Sequence, residues 1–327
     1  MNEPAMQAIL DVIQRGRRFV LVSHLRPDGD AIGSLLGLGL ALEAAGKEAH
    51  LVSEDGVPSN FRNLPGADRI YDRLDGIFDA IFVLDCSDLQ RTGAALDDYT
   101  RPHINIDHHP TNEAFAEINL VIESACSTTE IIYDLLRTGA LPITADAAEA
   151  LLTGLLTDTI GFQTPGTNPK ILRTAADLME YGPDLSRLYR TALIEKSFEA
   201  YRYWGAGLMS LRREDGMVWA TLTLEARRMV GYGGRDDADL VNQLSAIKGS
   251  VVRIIFIELS DSEVKISWRS QPGYDVSGIA SRFGGGGHRT AAGATVNGSL
   301  EAVQHQVLLA TRELLVSTGE LSESAIG

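Results

Sequence analysis

Three short apolar runs in the first half of the chain each end directly in aspartate or histidine. Arg18–Ser23 (RFVLVS) runs into His24, then Asp28 and Asp30. Asp79–Leu84 (DAIFVL) runs into Asp85, and His103–Ile106 (HINI) runs into Asp107, His108 and His109. Apolar runs of this kind read as strands buried on both faces, and such strands belong to parallel sheets with helical crossovers. The segments between and after them fit that reading. Asp30–Gly46 is a helix pattern with small residues on one face and Gly46 as its closing residue. Ser127–Gly139, Thr144–Ile160 and Asn168–Tyr181 carry apolar residues at helical spacing. Ligands of open α/β sheets bind beyond the carboxyl ends of the strands. The three clusters are therefore expected to converge, with Asp158 joining them from the end of the Thr144–Ile160 helix.

The remainder reads differently. Leu185–Arg213 is helical and rich in tyrosine and charge, as a linker. From Asp215 the pattern turns to strands: Met217–Thr223, then Val251–Leu259 and Glu263–Trp268 joined at Ser260–Ser262. A glycine-rich loop at Gly284–Gly287 and a terminal helix near Ser299–Val316 follow. The expected architecture is an α/β domain over 1–184, with a mostly parallel sheet flanked by helices. A helical linker over 185–213 and a smaller α+β domain over 214–327 complete it.

Charge narrows the partners. Against 29 Lys plus Arg stand 44 Asp plus Glu, a formal net charge of −15 over 327 residues. Such a chain is a poor match for duplex DNA, where affinity comes from neutralising phosphates. A small phosphorylated substrate held at a local positive site or a bound metal ion stays open. The two cysteines, Cys86 and Cys126, form no CxxC pattern, which argues against a disulfide framework and a thiolate zinc site. No basic-then-apolar leader opens the chain, and no run approaches the ~18 apolar residues of a membrane helix. A cytoplasmic protein without a membrane partner is expected.

Each strand-end residue has a plainer reading when taken alone. Asp28-Gly29 reads as a turn and Asp30 as a helix cap. Asp85 reads as a solvated residue after a strand, and His108-His109 as packing. Asp158 sits in an apolar helix, where an unpaired carboxylate is costly to bury. All of these readings would have to hold together to remove a metal site. Imidazoles with several carboxylates and no cysteine suit Mn²⁺ or a similar ion better than a closed zinc site. The groups are too many for one ion and enough for two. Two ions about 3.5–4 Å apart clamp an in-line displacement at phosphorus and lower the pKa of bound water toward neutrality. Asp85, alone on the middle segment, is the natural bridge.

These residues also carry a family resemblance. HLRPDGDAIGS, VLDCSD, the DHH of Asp107–His109 and the later Asp158 resemble the four motifs of the DHH phosphoesterases. ISWRSQPGYDVSGIASRFGGGGHRTAAGA resembles the DHHA1 domain that accompanies them, and the compact GGGGH ending is similar to the bacterial nanoRNase/pAp phosphatase group. The resemblance implies one Mn²⁺ held by His24, Asp28 and Asp85, and another held by Asp30, Asp85, His108 and Asp158. It implies that Asp107 orients a ligand histidine and that His109 faces the phosphoryl group. It further implies a homodimer, and a grip on the substrate's terminal phosphate and base by Arg269, Ser270, Gly286, Gly287 and His288. Where the family commonly has Lys-Asn after the glycine run, this chain has Arg289-Thr290, which leaves fine substrate choice open.

The second domain adds a physical reason for nucleotide binding. Consecutive glycines let backbone approach a ligand closely, although such runs also serve as linkers. Lys265, Arg269, Arg282 and Arg289 face one acid, Asp275, a local charge of 4 − 1 = +3. Arg269 can fork onto a phosphate; Arg91 is as well read as a surface residue. The expected activity is Mn²⁺-dependent hydrolysis of short single-stranded RNA, about two to five nucleotides, together with removal of the 3′-phosphate of 3′-phosphoadenosine 5′-phosphate (pAp). A phosphodiesterase for cyclic di-AMP or its linear product pApA needs the same groups. A non-catalytic nucleotide sensor would have lost at least one metal ligand, and none is missing here.

Overall fold

The computed structural model describes residues 2–74, 76–96 and 102–317. The chain divides into two compact units, Met1–Glu195 and Lys196–Gly327. In the first, helix α1 (Asn2–Arg15) precedes strand β1 (Arg18–Val22), helix α2 (Gly29–Ala44) and strand β2 (Glu48–Val52). Strands β3 (Ile70–Tyr71), β4 (Ala80–Leu84), β5 (Ile104–Asp107) and β6 (Ile118–Val121) follow, then helices α3 (Thr128–Thr138), α4 (Ala145–Asp158), α5 (Pro169–Met179) and α6 (Leu185–Tyr189). The six strands form one sheet in the order β3-β2-β1-β4-β5-β6, and every pairing is parallel. The chain builds outward from β1 on one side, then returns to start the other side at β4. That reversal opens a crevice at the carboxyl ends of β1 and β4.

Both faces of the sheet are covered. Phe19, Leu21, Phe82, Leu84, Ile104 and Ile106 face the helices, and Val20, Val22, Val52, Ile81 and Val83 face the other way. The second face is closed by a short 3₁₀ stretch at Leu89–Leu96. Helix α2 is apolar nearly all round, as a helix packed on several sides must be. Burial of Ile32, Leu35, Leu36, Leu38 and Leu42 in α2 contributes on the order of 10 kcal/mol before entropy is subtracted. Its small face, Gly29, Gly33 and Gly37, lies against α4. A Cβ at Gly33 would sit 2.6 Å from the Ala150 carbonyl, and one at Gly29 would collide with Thr157. This close approach brings Asp158, the last residue of α4, to the end of α2 that carries Asp28 and Asp30. Gly46, at φ 79°, closes α2: Lys47 N–H bonds to the Leu42 carbonyl and Gly46 N–H to that of Glu43.

The second unit begins with helix α7 (Phe198–Met209), strands β7 (Arg212–Glu214) and β8 (Met217–Leu222), and helices α8 (Leu224–Val230) and α9 (Leu240–Leu244). Strands β9 (Val252–Ser260) and β10 (Glu263–Ser270), helix α10 (Val276–Arg282), strands β11 (Gly286–His288) and β12 (Ala291–Asn297), and helix α11 (Leu300–Ser317) complete it. The sheet runs β11-β12-β10-β9-β8-β7, with only β8 and β9 parallel. One face packs on α10 and α11, the other on α7 and α9.

The structure departs from the sequence reading at several elements. The first sheet is wholly parallel and includes two strands the sequence reading did not name, β3, only two residues long, and β6, whose apolar run is interrupted by Asn119. The helical run at 185–213 breaks: a single π-turn occupies Arg190–Ile194, and Arg212–Glu214 is a strand paired with β8. The glycine-rich segment is only partly a loop, because Gly286–His288 pairs with Gly293–Ala291. Residues 318–327 of the expected second domain lie outside the described residues. No described helix is long and apolar enough to cross a membrane.

Candidate active site

The strand-end residues of the first unit converge. His24 follows β1 directly and is buried. Its Nδ1–H donates to the Leu25 carbonyl at 2.8 Å, which turns Nε2 toward Asp85 Oδ2, 3.5 Å away. Asp85 follows β4 with φ 56°, a left-handed conformation that aspartate tolerates better than most residues. Thr128 Oγ1 donates to Asp85 Oδ1 at 3.0 Å. Asp28 caps α2: one carboxylate oxygen accepts from Asp30 N at 3.0 Å and Ala31 N at 3.1 Å. The cap reading and a ligand reading are thus compatible.

Asp30 is buried at the start of α3. Oδ2 accepts from Thr128 N at 2.6 Å, and Oδ1 from Thr129 N at 3.0 Å and Thr129 Oγ1 at 2.8 Å. A helix N-terminus presents unpaired N–H groups and favours negative charge, so α3 holds this carboxylate in place. Ser127 caps α3, accepting from Glu130 N. His108 mirrors His24: Nδ1–H donates to the Ala125 carbonyl at 3.3 Å. Its Nε2 then lies 3.2 Å from Asp158 Oδ2, 3.8 Å from Asp85 Oδ1 and 4.0 Å from Asp30 Oδ2.

Asp107 ends β5 and is fully buried. Oδ1 accepts from His109 Nδ1 at 2.7 Å and Oδ2 from Asn112 Nδ2 at 2.6 Å. The histidine it orients is therefore His109, not His24 or His108. Residues i and i+2 leaving a strand share a side. Asn112 also donates to Asn105 Oδ1 at 2.8 Å and accepts from Ala114 N, which fixes its amide.

The electrostatics are those of crowded acids. Among the described residues no lysine or arginine forms an ion pair with Asp28, Asp30, Asp85, Asp107 or Asp158. Burial and the Asp85 charge push the Asp30 carboxyl up to about 7. Burial with the charges of Asp30 and Asp28 pushes Asp158 well above the carboxylate range. Burial disfavours charge on Asp85 too, yet His24, His109 and His108 hold it below that range. For the three histidines burial opposes protonation and is outweighed: by Asp85 and Asp28 at His24, by Asp30 and Asp85 at His108, by Asp107 and Asp85 at His109. Within the first unit three sets of ligand atoms cluster tightly, His24-Asp28-Asp85, Asp30-Asp85-His108 and Asp85-Asp107-His109, and all three share Asp85. These groups can hold metal ions. The donors fit: each of His24 and His108 anchors one ring nitrogen on a carbonyl and offers the other, as ligand histidines do.

In the second unit the residues expected to bind phosphate lie at one end of the sheet. Arg269 pairs across with Ala291, which pairs with His288, so Arg269 and His288 stand two strands apart on one face. Ser270 Oγ donates to the Tyr274 carbonyl at 2.6 Å. The local positive charge is smaller than its count, since Arg289 pairs with Asp275 and Arg282 with Glu313. Two of the four glycines serve the fold. A Cβ at Gly287 would lie 2.6 Å from the Ala291 carbonyl, and one at Gly285 would collide with Gly293. A Cβ at Gly286 would meet nothing within 4 Å.

Sequence reasoning missed Thr128, Thr129 and Asn112. The Ser127-x-x-Glu130 pattern signals a helix start, but not that the start faces Asp30.

With that geometry in view, the class is settled by sequence kinship. The chain matches the DHH family, N-terminal domain, over residues 18–155, and the DHHA1 domain over 229–313. It belongs to the DHH family of phosphoesterases. It is 36% identical, over 92% of this chain and 91% of the relative, to the bifunctional oligoribonuclease and PAP phosphatase NrnA of Thermus thermophilus. Identity to the Bacillus subtilis protein of the same name is 28%, covering 85% and 88% of the two chains. A crystal structure of an exopolyphosphatase-related protein from Bacteroides fragilis superposes with a TM-score of 0.87 at 26% identity, covering 97% and 98%.

Proposed function

We propose that the protein hydrolyses short oligoribonucleotides, about two to five nucleotides long, to mononucleotides and converts pAp to AMP, using two divalent ions, Mn²⁺ by preference. The observation that carries this reading is the set of ligand clusters sharing Asp85 at the crevice beside β1 and β4. The extended similarity to relatives named oligoribonuclease and PAP phosphatase supports the substrate class. His24, Asp28 and Asp85 hold one ion; Asp30, Asp85, His108 and Asp158 hold the other. Bound divalent ions supply positive charge at the phosphoryl oxygens and a more acidic water. Asp107 holds the Nδ1 proton of His109, so Nε2 faces the phosphoryl group. In the imidazolium form, which Asp107 and Asp85 favour, Nε2 carries a second proton that it can hand to the leaving oxygen, leaving His109 neutral. Arg269, Ser270, Gly286, Gly287 and His288 bind the terminal phosphate and base. Incubation with a 5′-phosphorylated diribonucleotide, pAp and cyclic di-AMP in parallel tests the assignment. Turnover of the first two is expected; preferred turnover of cyclic di-AMP favours the cyclic-dinucleotide reading, and binding without turnover favours a sensor.

Asp107→Asn should keep both ions and lower activity about 10–100-fold, the usual cost of losing a group that orients a reacting side chain. Metal content by mass spectrometry alongside initial rates checks this. Loss of the ions would instead make Asp107 a ligand.

The shifted carboxyls give a pH dependence with a definite sign. A carboxyl raised from 3.8 to about 7 on folding, as at Asp30, stabilises fully below its unfolded value and loses that contribution as pH rises through 7. Asp158 and the three raised histidines act in the same direction. Asp85, held low, gives up its contribution only below about pH 4. Chelator-treated protein should therefore melt at a lower temperature near about pH 7.5 than near about pH 5.5. Ion binding requires the deprotonated groups, so added Mn²⁺ should raise Tm more at the higher pH. Equal increments at both pH values, read by scanning calorimetry, would contradict the assignment.

A further inference from the structure

Arg253 lies on β9 directly opposite Arg269 of β10. Neighbours paired across a sheet point to the same face, so the row His288, Ala291, Arg269, Arg253 crosses four strands at steps of roughly 4.8 Å. Arg253 is 6% exposed. Its Nε donates to Ser250 Oγ at 2.8 Å, and Nη2 to the Ser245 carbonyl at 3.4 Å. Arg269 Nε donates to Asn242 Oδ1 at 3.0 Å and Nη1 to the Trp268 carbonyl at 2.9 Å. Both guanidiniums are thereby steered by α9 and the residue that follows it.

Among the described residues no carboxylate forms an ion pair with either arginine. Burying a cation without a counter-ion is costly, and no described carboxylate acts on Arg253, whereas Asp237 and Asp239 act on Arg269. Burial alone pulls Arg253 below the usual arginine range, and it pulls Arg269 down against Asp237 and Asp239. A plain structural reading makes Arg253 a cap on the last carbonyls of α9. One long hydrogen bond to Ser245 is a weak return for a buried charge beside a second one. An anion reached by both guanidiniums supplies the counter-charge that Arg253 lacks. Arginine's five N–H donors are built for phosphate, and each of these two commits only part of its set.

We propose that Arg253 joins Arg269 in a two-guanidinium site for a phosphate monoester, the terminal phosphate of the substrate. The inference rests on the function proposed above and adds a residue to it. It makes preference for a terminal phosphate, rather than catalysis, the property Arg253 controls.

The test uses full-length metal-loaded protein, wild type and Arg253→Met, which keeps the length of the side chain and removes the charge. Arg253→Lys serves as the conservative control. KM and kcat are measured on a diribonucleotide with a 5′-phosphate and on the same dinucleotide with a 5′-hydroxyl. Arg253→Met should raise KM for the phosphorylated substrate about 10–100-fold, the scale of a lost charged hydrogen bond. Its kcat and its KM for the 5′-hydroxyl substrate should stay near wild type. Tm should hold or rise, because a buried unpaired charge has gone, and Arg253→Lys should recover part of the preference. Inorganic phosphate titrated calorimetrically should bind Arg253→Met more weakly by the same factor. Equal losses on both dinucleotides with a lowered Tm would make Arg253 a structural cap and overturn the proposal. So would an unchanged phosphate preference. Should wild type cleave neither dinucleotide, the proposed function fails, while the phosphate titration still decides whether the anion site exists.

Discussion

Asp85→Ala should bind no pair of divalent ions and should hydrolyse a 5′-phosphorylated dinucleotide at less than about a thousandth of the wild-type rate. Asp85 is common to all three ligand clusters found among the described residues of the first unit. Without a bridging carboxylate two cations in one site repel each other. The same substitution strips Thr128 Oγ1 of its acceptor and removes the carboxylate that lies 3.5 Å from His24 Nε2. Bound metal contributes several kcal/mol of transition-state stabilisation, and about 4 kcal/mol is a thousandfold in rate. EDTA should abolish wild-type activity in the same way, and Mn²⁺ should restore it better than Zn²⁺. Metal analysis of the purified variant decides the point: two ions per chain at full occupancy would refute the bridge.

The second large effect concerns substrate length. Initial rates should be highest on 5′-phosphorylated chains of about two to five nucleotides and fall steeply toward ~20. The proposed metal ligands belong to the first unit, and the proposed phosphate-binding row belongs to the second. A protein at net −15 has little to attract a longer backbone. Arg269→Ala and His288→Ala should lose activity on dinucleotides while retaining both ions, since neither is a proposed metal ligand. A length series run on wild type and both variants reads this directly. Rates that stay level or climb at ~20 nucleotides, or variants as fast as wild type, would sink the model of terminal-phosphate recognition.

Much of this site is legible in the sequence because its residues sit at strand ends. A buried strand is a visible apolar run, and the residue after it is placed by the sheet. This is why His24, Asp85 and Asp107–His109 can be grouped before any coordinates. Asp158 needs one more step, the glycine stripe on α2 that admits α4. The short strands β3 and β6 stay hidden: one is two residues long, and the other carries Asn119, whose side chain bonds to the Ala116 backbone. Thr128 and Thr129 stay hidden for another reason. Their role depends on where the start of α3 points, which is a tertiary fact. The partner of Asp107 differs from expectation because local geometry along the strand exit favours His109. In the second unit the glycine run reads as an opening for ligand, yet half of it answers to strand contact. Arg253 escapes notice altogether, since an arginine inside an apolar strand acquires meaning only from its cross-strand neighbour.

The account's central claim is that the strand-end cluster works through bound metal. Chelator-stripped wild type should be titrated with Mn²⁺ in a calorimeter, with the rate on a 5′-phosphorylated dinucleotide followed over the same additions. Two equivalents should bind, and activity should rise from background to its plateau as the second is taken up. Full activity before any Mn²⁺ is added, or a rate indifferent to its binding, would contradict the account.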